Sequence, residues 1–225
     1  MSWIKSFFRS TIGRKFVMSL TGLFLVLFLI EHLAGNLLLL LGDNGLTYNA
    51  YSDFMAANPL IRIVEIVLFL SLIYHPVEAL ILTLRNKRAR PKGYKVNHPE
   101  ENSTWYSRNM GILGLIILAF LVLHLTNFFY KARFADLSLD VNGNKDLYLV
   151  VKESFETAWY SIAYIVCFLA LGFHLLHGIF SGFKTMGLSH KKYVPVVKWL
   201  GVVLTVIFTV GFIAIPAYFL LNSII

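Results

Sequence analysis

Polar residues are so sparse along this chain that its plan is read from where they are missing. Five predominantly apolar runs, near 17–41, 60–84, 109–130, 157–183 and 194–222, each exceed the roughly 18 residues a helix needs to cross a hydrocarbon core of about 30 Å. The connections between them leave no soluble domain of any size. The pattern predicts an all-α membrane protein, a single domain over 1–225 built as a bundle of five transmembrane helices. Ahead of the first run, residues 1–15 mix aromatic and basic side chains and read as an interfacial amphipathic segment. A cleaved signal peptide is the rival reading. It is set aside because the apolar run continues well past an h-region and carries no small-x-small cleavage site.

The polar connections are read in turn. Residues 42–59 look polar and turn-rich, and Pro59 suits the opening of the second helix. Pro76 predicts a kink near His75. The connection 131–156 is the longest on its side, and its Asp136, Asp140, Asp146, Glu153 and Glu156 read as a solvated face. The fifth run has no His, Asp or Glu, and its Gly201, Gly211 and Pro216 point to close packing and a bend.

Composition changes the picture little. The chain is 57% hydrophobic and 14% charged, as a membrane protein should be. Its net charge of +8 could suggest nucleic acid, but the placement argues otherwise. Fifteen of the twenty Lys and Arg fall before the first run, between the second and third, or around the fourth-to-fifth connection. That bias predicts a cytoplasmic N-terminus and an outside C-terminus, with no nucleic-acid partner. The basic stretch 85–108 could face a cytoplasmic partner. Cys167, the only cysteine, excludes an internal disulfide and a Cys-rich metal site and reads as a small packing residue.

The chemistry lies in the histidines. Four of the runs carry them (His32, His75, His124, and His174 with His177), and an imidazole in hydrocarbon is a functional candidate by default. At about 1.5 Å per residue, His75 and His174 each lie roughly 15 Å from the basic boundary, ten residues from Arg85 and Lys184. His32 and His124 lie roughly 25 Å from it, seventeen and sixteen residues past Lys15 and Arg108. This predicts two levels on the order of 10 Å apart, each with two facing imidazoles. Two stacked pairs are what two bis-His haems require. Gly35, Gly178, Ser71 and Ala79 would leave room for a flat macrocycle beside the ligands. Zinc suits the pattern less, because each level offers only two strong ligands. His177 shares a face with His174 and is read as a contact to a haem carboxylate, with alternative ligation the rival. His98 and His190 read as loop residues. The bland reading, four separate polar contacts between helices, does not explain the matched depths.

These residues resemble a family. Glu31-His32-Leu33-Ala34-Gly35-Asn36, then Asn58-Pro59-Leu60-Ile61 followed by Glu65 and His75, and Phe173-His174-Leu175-Leu176-His177-Gly178 with Lys184-Thr185-Met186-Gly187, are similar to the cytochrome b membrane anchor of succinate dehydrogenase/fumarate reductase in its five-helix, two-haem form. The resemblance implies two haem b, the inner on His75 and His174 and the outer on His32 and His124. It also implies a flavoprotein and an iron–sulfur subunit on the cytoplasmic face, a membrane quinone (menaquinone) as substrate, and a bacterial cytoplasmic membrane. Some members carry a glutamate where this chain has Gly172, so that proton route is not implied here. Glu31 and Glu65, with Glu78, are the other candidate quinone or proton groups, since buried carboxylates with raised pKa suit quinone protonation. Two alternatives stand beside it: the cytochrome b of another quinone-linked dehydrogenase or hydrogenase, and a proton-coupled transporter with a His/Glu relay.

Overall fold

The structure, a computed structural model, describes residues 3–89 and 99–225. His98 and the middle of the basic connection lie outside the described residues. A short helix α1 (Trp3–Arg9) turns into α2 (Thr11–Leu37), which a 3₁₀ turn (Leu38–Leu40) extends. Ser10 makes the corner: its hydroxyl donates to the Phe7 carbonyl at 2.7 Å and accepts from the Gly13 amide at 3.0 Å. Only glycine fits at position 13, because a Cβ there would sit 2.0 Å from that same Phe7 oxygen.

Four more long helices follow: α4 (Pro59–Arg88), α5 (Met110–Phe134), α7 (Ala158–Thr185) and α8 (Val194–Ile224). With α2 they make five helices long and apolar enough to cross a membrane, each near its expected bounds. Their outward faces are largely apolar, Ile63, Ile66, Leu70 and Ile73 on α4 being exposed examples. Helix α7 sits centrally, against α8, α2 and α5, while α4 packs mainly on α2. Small residues bring these helices together, since lipid offers no hydrophobic drive to associate. A Cβ at Gly211 would lie 2.9 Å from Leu33, and one at Gly172 2.5 Å from Thr209 Oγ1. The core between them is aromatic, with Phe120, Tyr164, Phe168, Phe208 and Phe212 buried.

The polar connections at the end away from the basic boundary are more ordered than their composition suggests. Residues 42–59 hold α3 (Leu46–Ala57), and 131–156 hold α6 (Leu147–Glu156). The signals were side-chain caps read as turn residues. Asp43 accepts from the amides of Gly45 and Thr47, and Asp146 accepts from Leu149 at 3.0 Å, supplying acceptors for the first turns of both helices. Nor are all the acidic residues merely solvated. Asn49, 0% exposed, donates to Asp140 and Asp146 and accepts from the Tyr148 amide at 2.9 Å. Asp140 also accepts from the amides of Asn142 and Asn144, and Asp53 from that of Lys145. One buried amide thereby ties α3 to α6 and closes a polar cap over the bundle.

Candidate functional site

Near the basic end, His75 on α4 and His174 on α7 face each other, ring centroids 6.4 Å apart and planes at 65°. Glycines seat both rings. A Cβ at Gly22 would lie 3.1 Å from His75 Cε1, and one at Gly114 3.8 Å from His174 Cε1. Towards the far end, His32 on α2 and His124 on α5 form a second pair with centroids 5.6 Å apart and planes at 85°. Aromatic rings enclose this pair: Phe28 stacks on His32, and Phe120, Phe128 and Tyr164 surround His124.

The vertical separation can be read twice. Gly22 lies ten residues before His32 on α2, and Gly114 ten before His124 on α5. Both intervals give about 15 Å along a helix axis, somewhat more than the sequence estimate. Four histidines from four helices are thus gathered as two stacked pairs. Helix α5 changes character directly after His124, where Leu125–Phe129 form a π-helical turn. Such turns carry one residue more than an α-turn and often accompany functional sites. His177 makes no ring contact or hydrogen bond among the described residues, and His190 lies in an exposed turn.

No family model, curated protein or solved structure matches the chain. The chemistry of the site therefore rests on its own donors. Among the described residues no three His, Cys, Asp or Glu converge, which leaves two-coordinate pairs rather than a closed zinc site. No hydrogen bond among them reaches Nε2 of any of the four histidines, and Nδ1 of His124 and of His174 are buried without a partner. Metal–imidazole bonds of about 2.0–2.1 Å on opposite sides of one ion put ring centroids roughly 6.3 Å apart. The basic-end pair has that spacing, and the far pair is closer by about 0.7 Å on the same reckoning. Room for a macrocycle differs between the two glycines expected to supply it. A Cβ at Gly178 meets nothing within 4 Å, so the space beside this glycine is open. At Gly35 a Cβ would collide with the Tyr51 ring at 2.5 Å, so this glycine admits a tyrosine rather than leaving a slot.

Beside His32, however, lies a cavity of about 650 Å³ reaching from Glu31 and Asn36 to Arg62, Arg133 and Lys145. It is roofed by Tyr48 and Tyr51 of α3. Burial pushes the Tyr48 hydroxyl up to about 12, a hydrogen bond with Ser52 offsetting part of the shift. Burial also raises Tyr51, and its bond to the Glu31 carboxylate raises it further. Both tyrosines remain neutral donors at ordinary pH. Three cations stand at the mouth of the cavity, and two of them, Arg62 and Arg133, are shared with Glu65.

The carboxylates read as candidate quinone or proton groups all have partners. Glu65 is held between Arg62 at 2.6 Å and Arg133 at 2.7 Å, and Arg62 also donates to the Ala56 carbonyl. Glu78, 5% exposed, accepts twice from Arg14 Nη1, at 2.8 and 2.9 Å. Glu31 alone lines the cavity, and its partner is the neutral Tyr51 hydroxyl. Sequence reading missed Arg14, Gly22, Gly114 and Thr21 as neighbours of this machinery. For Arg14 a signal existed, since an arginine inside the first helix needs an opposite charge and Glu78 was the available one.

Proposed function

We propose that the chain is the dihaem cytochrome b anchor of a succinate:quinone oxidoreductase, set in a bacterial cytoplasmic membrane with its basic end inside. The observation that carries this reading is the gathering of four histidines, one from each of four apolar helices, into two pairs about 15 Å apart along the bundle. His75 and His174 would hold one haem b, and His32 and His124 the other. When bound, each haem supplies a one-electron carrier in the hydrocarbon interior. The protein's part is to present neutral imidazoles at fixed spacing, exclude water with the aromatic shell, and set counter-charges. Gly178 leaves the macrocycle space near the basic end. Lys145, beside the Arg62 and Arg133 that Glu65 engages, would offer positive charge to haem carboxylates at the far end. Glu31 lines the cavity, where a quinone such as menaquinone would meet it. Glu65, clamped by two arginines, fits a structural ion pair better. The basic end is the docking face for the iron–sulfur subunit and, through it, the flavoprotein.

The test is optical and quantitative. Purified protein expressed with ample haem should show b-type bands in a reduced-minus-oxidised spectrum, with two haems per chain. Colourless material would remove the reading and leave a His/Glu relay in its place. Two haems, but copurification with a hydrogenase or formate dehydrogenase, would keep the cytochrome and change the complex.

A further inference from the structure

The histidine pairs are not prepared alike, and the difference comes from two polar residues of α2. Thr21 Oγ1 lies 3.3 Å from His75 Nδ1. Its single hydroxyl proton is already given to main-chain carbonyls, Val17 at 2.9 Å and Met18 at 3.0 Å. With that proton held by the helix carbonyls, the oxygen facing His75 accepts, which favours the tautomer with the proton on Nδ1; the Met18 carbonyl is a second acceptor beside the same ring. The lone pair is left on Nε2, which no protein donor reaches among the described residues. Gly22, the next residue, lets the ring come this close. At the far pair the relation is reversed. Asn36 Nδ2 donates to the His32 carbonyl at 2.7 Å, which fixes the amide orientation, and the same nitrogen faces His32 Nδ1 at 3.5 Å. An amide nitrogen cannot accept, so this contact does nothing to place a proton on His32 Nδ1.

We propose that Thr21 is a positioning residue for the basic-end metal site. Its oxygen holds His75 in the tautomer that offers Nε2 to an iron and strengthens that imidazole as a donor. The inference rests on the dihaem reading. A hydrogen bond on the non-ligating nitrogen fixes ring orientation and raises ligand basicity. A more basic ligand favours ferric over ferrous iron. Thr21 therefore lowers the midpoint potential of the basic-end haem and leaves the far one alone.

The experiment is a redox titration of wild-type protein, Thr21→Val and Thr21→Ser, with haem content measured in each. Thr21→Val keeps the branched shape but loses the acceptor. The expected result is an upward shift of one of the two midpoint potentials. The shifted component should be the one that His75→Ala or His174→Ala removes, and Thr21→Ser should restore it. Unchanged potentials in Thr21→Val with both haems bound would overturn the proposal, as would equal shifts of both haems. Should Thr21→Val bind too little haem to titrate, Gly22→Ala, which crowds the same ring without removing the acceptor, decides. Retained potentials with lowered occupancy in Gly22→Ala support a specific acceptor role, and an upward shift of the component that His75→Ala removes refutes it. Wild-type protein without haem bands sinks the dihaem reading itself, a result distinct from all of these.

Discussion

The two ends of the bundle are finished in different ways. At the far end, α3 and α6 fold over the helix termini, and one buried asparagine ties them through Asp140, Asp146 and the Tyr148 amide. Arg62, Glu65 and Arg133 form an ion-pair cluster there. The basic end has no such roof among the described residues. The Arg14–Glu78 pair is a long-range polar contact on this side, and Lys15, Lys184, Lys191, Lys192 and Tyr193 are exposed. One end satisfies its own polar groups, whereas the other holds charges ready for something else to meet. Under the function proposed above, that asymmetry suits an anchor whose partners dock on one side.

The largest effects should come from the histidines. His75→Ala or His174→Ala should abolish one haem component, and His32→Ala or His124→Ala the other, read as haem content and as single-component titrations. Retention of both haems in any one variant would remove that residue as a ligand. The basic-end ion pair comes next. Glu78→Gln strands a buried guanidinium whose Nε already lacks a partner, and should cost roughly 3–5 kcal/mol. Thermal unfolding in detergent would read this, and a melt unchanged from wild type would mean the pair is solvated. At the far end, Asn49→Ala leaves two carboxylates and an amide without their shared partner. A loss of about 2–3 kcal/mol is expected, with the haem spectrum intact. Spectral loss at equal stability would instead place the cap inside the cofactor site.

A smaller effect concerns acid. Burial would raise the Asp140 carboxyl, but bonds from the amides of Asn144 and Asn142 and from Asn49 outweigh it and hold it below its usual 3.8. A group lowered on folding contributes stability above its unfolded pKa and loses it as pH falls through the folded value. Proteolysis within 135–146 should therefore rise only below about pH 4. Susceptibility already rising near neutral pH would show that Asp140 does not close the cap. The smallest change expected on the free chain concerns the basic connection. Its described parts, 85–89 and 99–108, should be cut readily alone and protected on addition of the soluble subunits proposed above.

How far the residues alone foretold this varies with the kind of information. Helix positions were legible because twenty apolar residues in a row have few other uses. The facing of His75 with His174, and of His32 with His124, followed from counting residues to charged boundaries, since helix rise is constant. Caps and side-chain partners were not legible. Asp43 and Asp146 at helix starts look like any turn aspartate until the amides they hold are placed. Gly35 was read as empty space because sequence does not reveal that Tyr51, on a helix mistaken for a loop, fills it. Thr21 was invisible because its role depends on where its only proton goes, a matter of geometry within one helical turn.

The π-helical turn after His124 has a consequence for how this helix can tolerate change. One surplus residue there offsets everything downstream by about 100° relative to an unbroken α-helix. His124 and Arg133 sit on opposite sides of that offset, so each keeps its own angular setting. Deleting Thr126, whose hydroxyl bonds only within its own helix, would let the turn relax to ordinary winding and leave Arg133 at its present angle, still facing Glu65. The imidazole would stay where it is. One residue more or less at this point is therefore taken up by the winding itself, and both the His124 ring and the far rim keep their bearings.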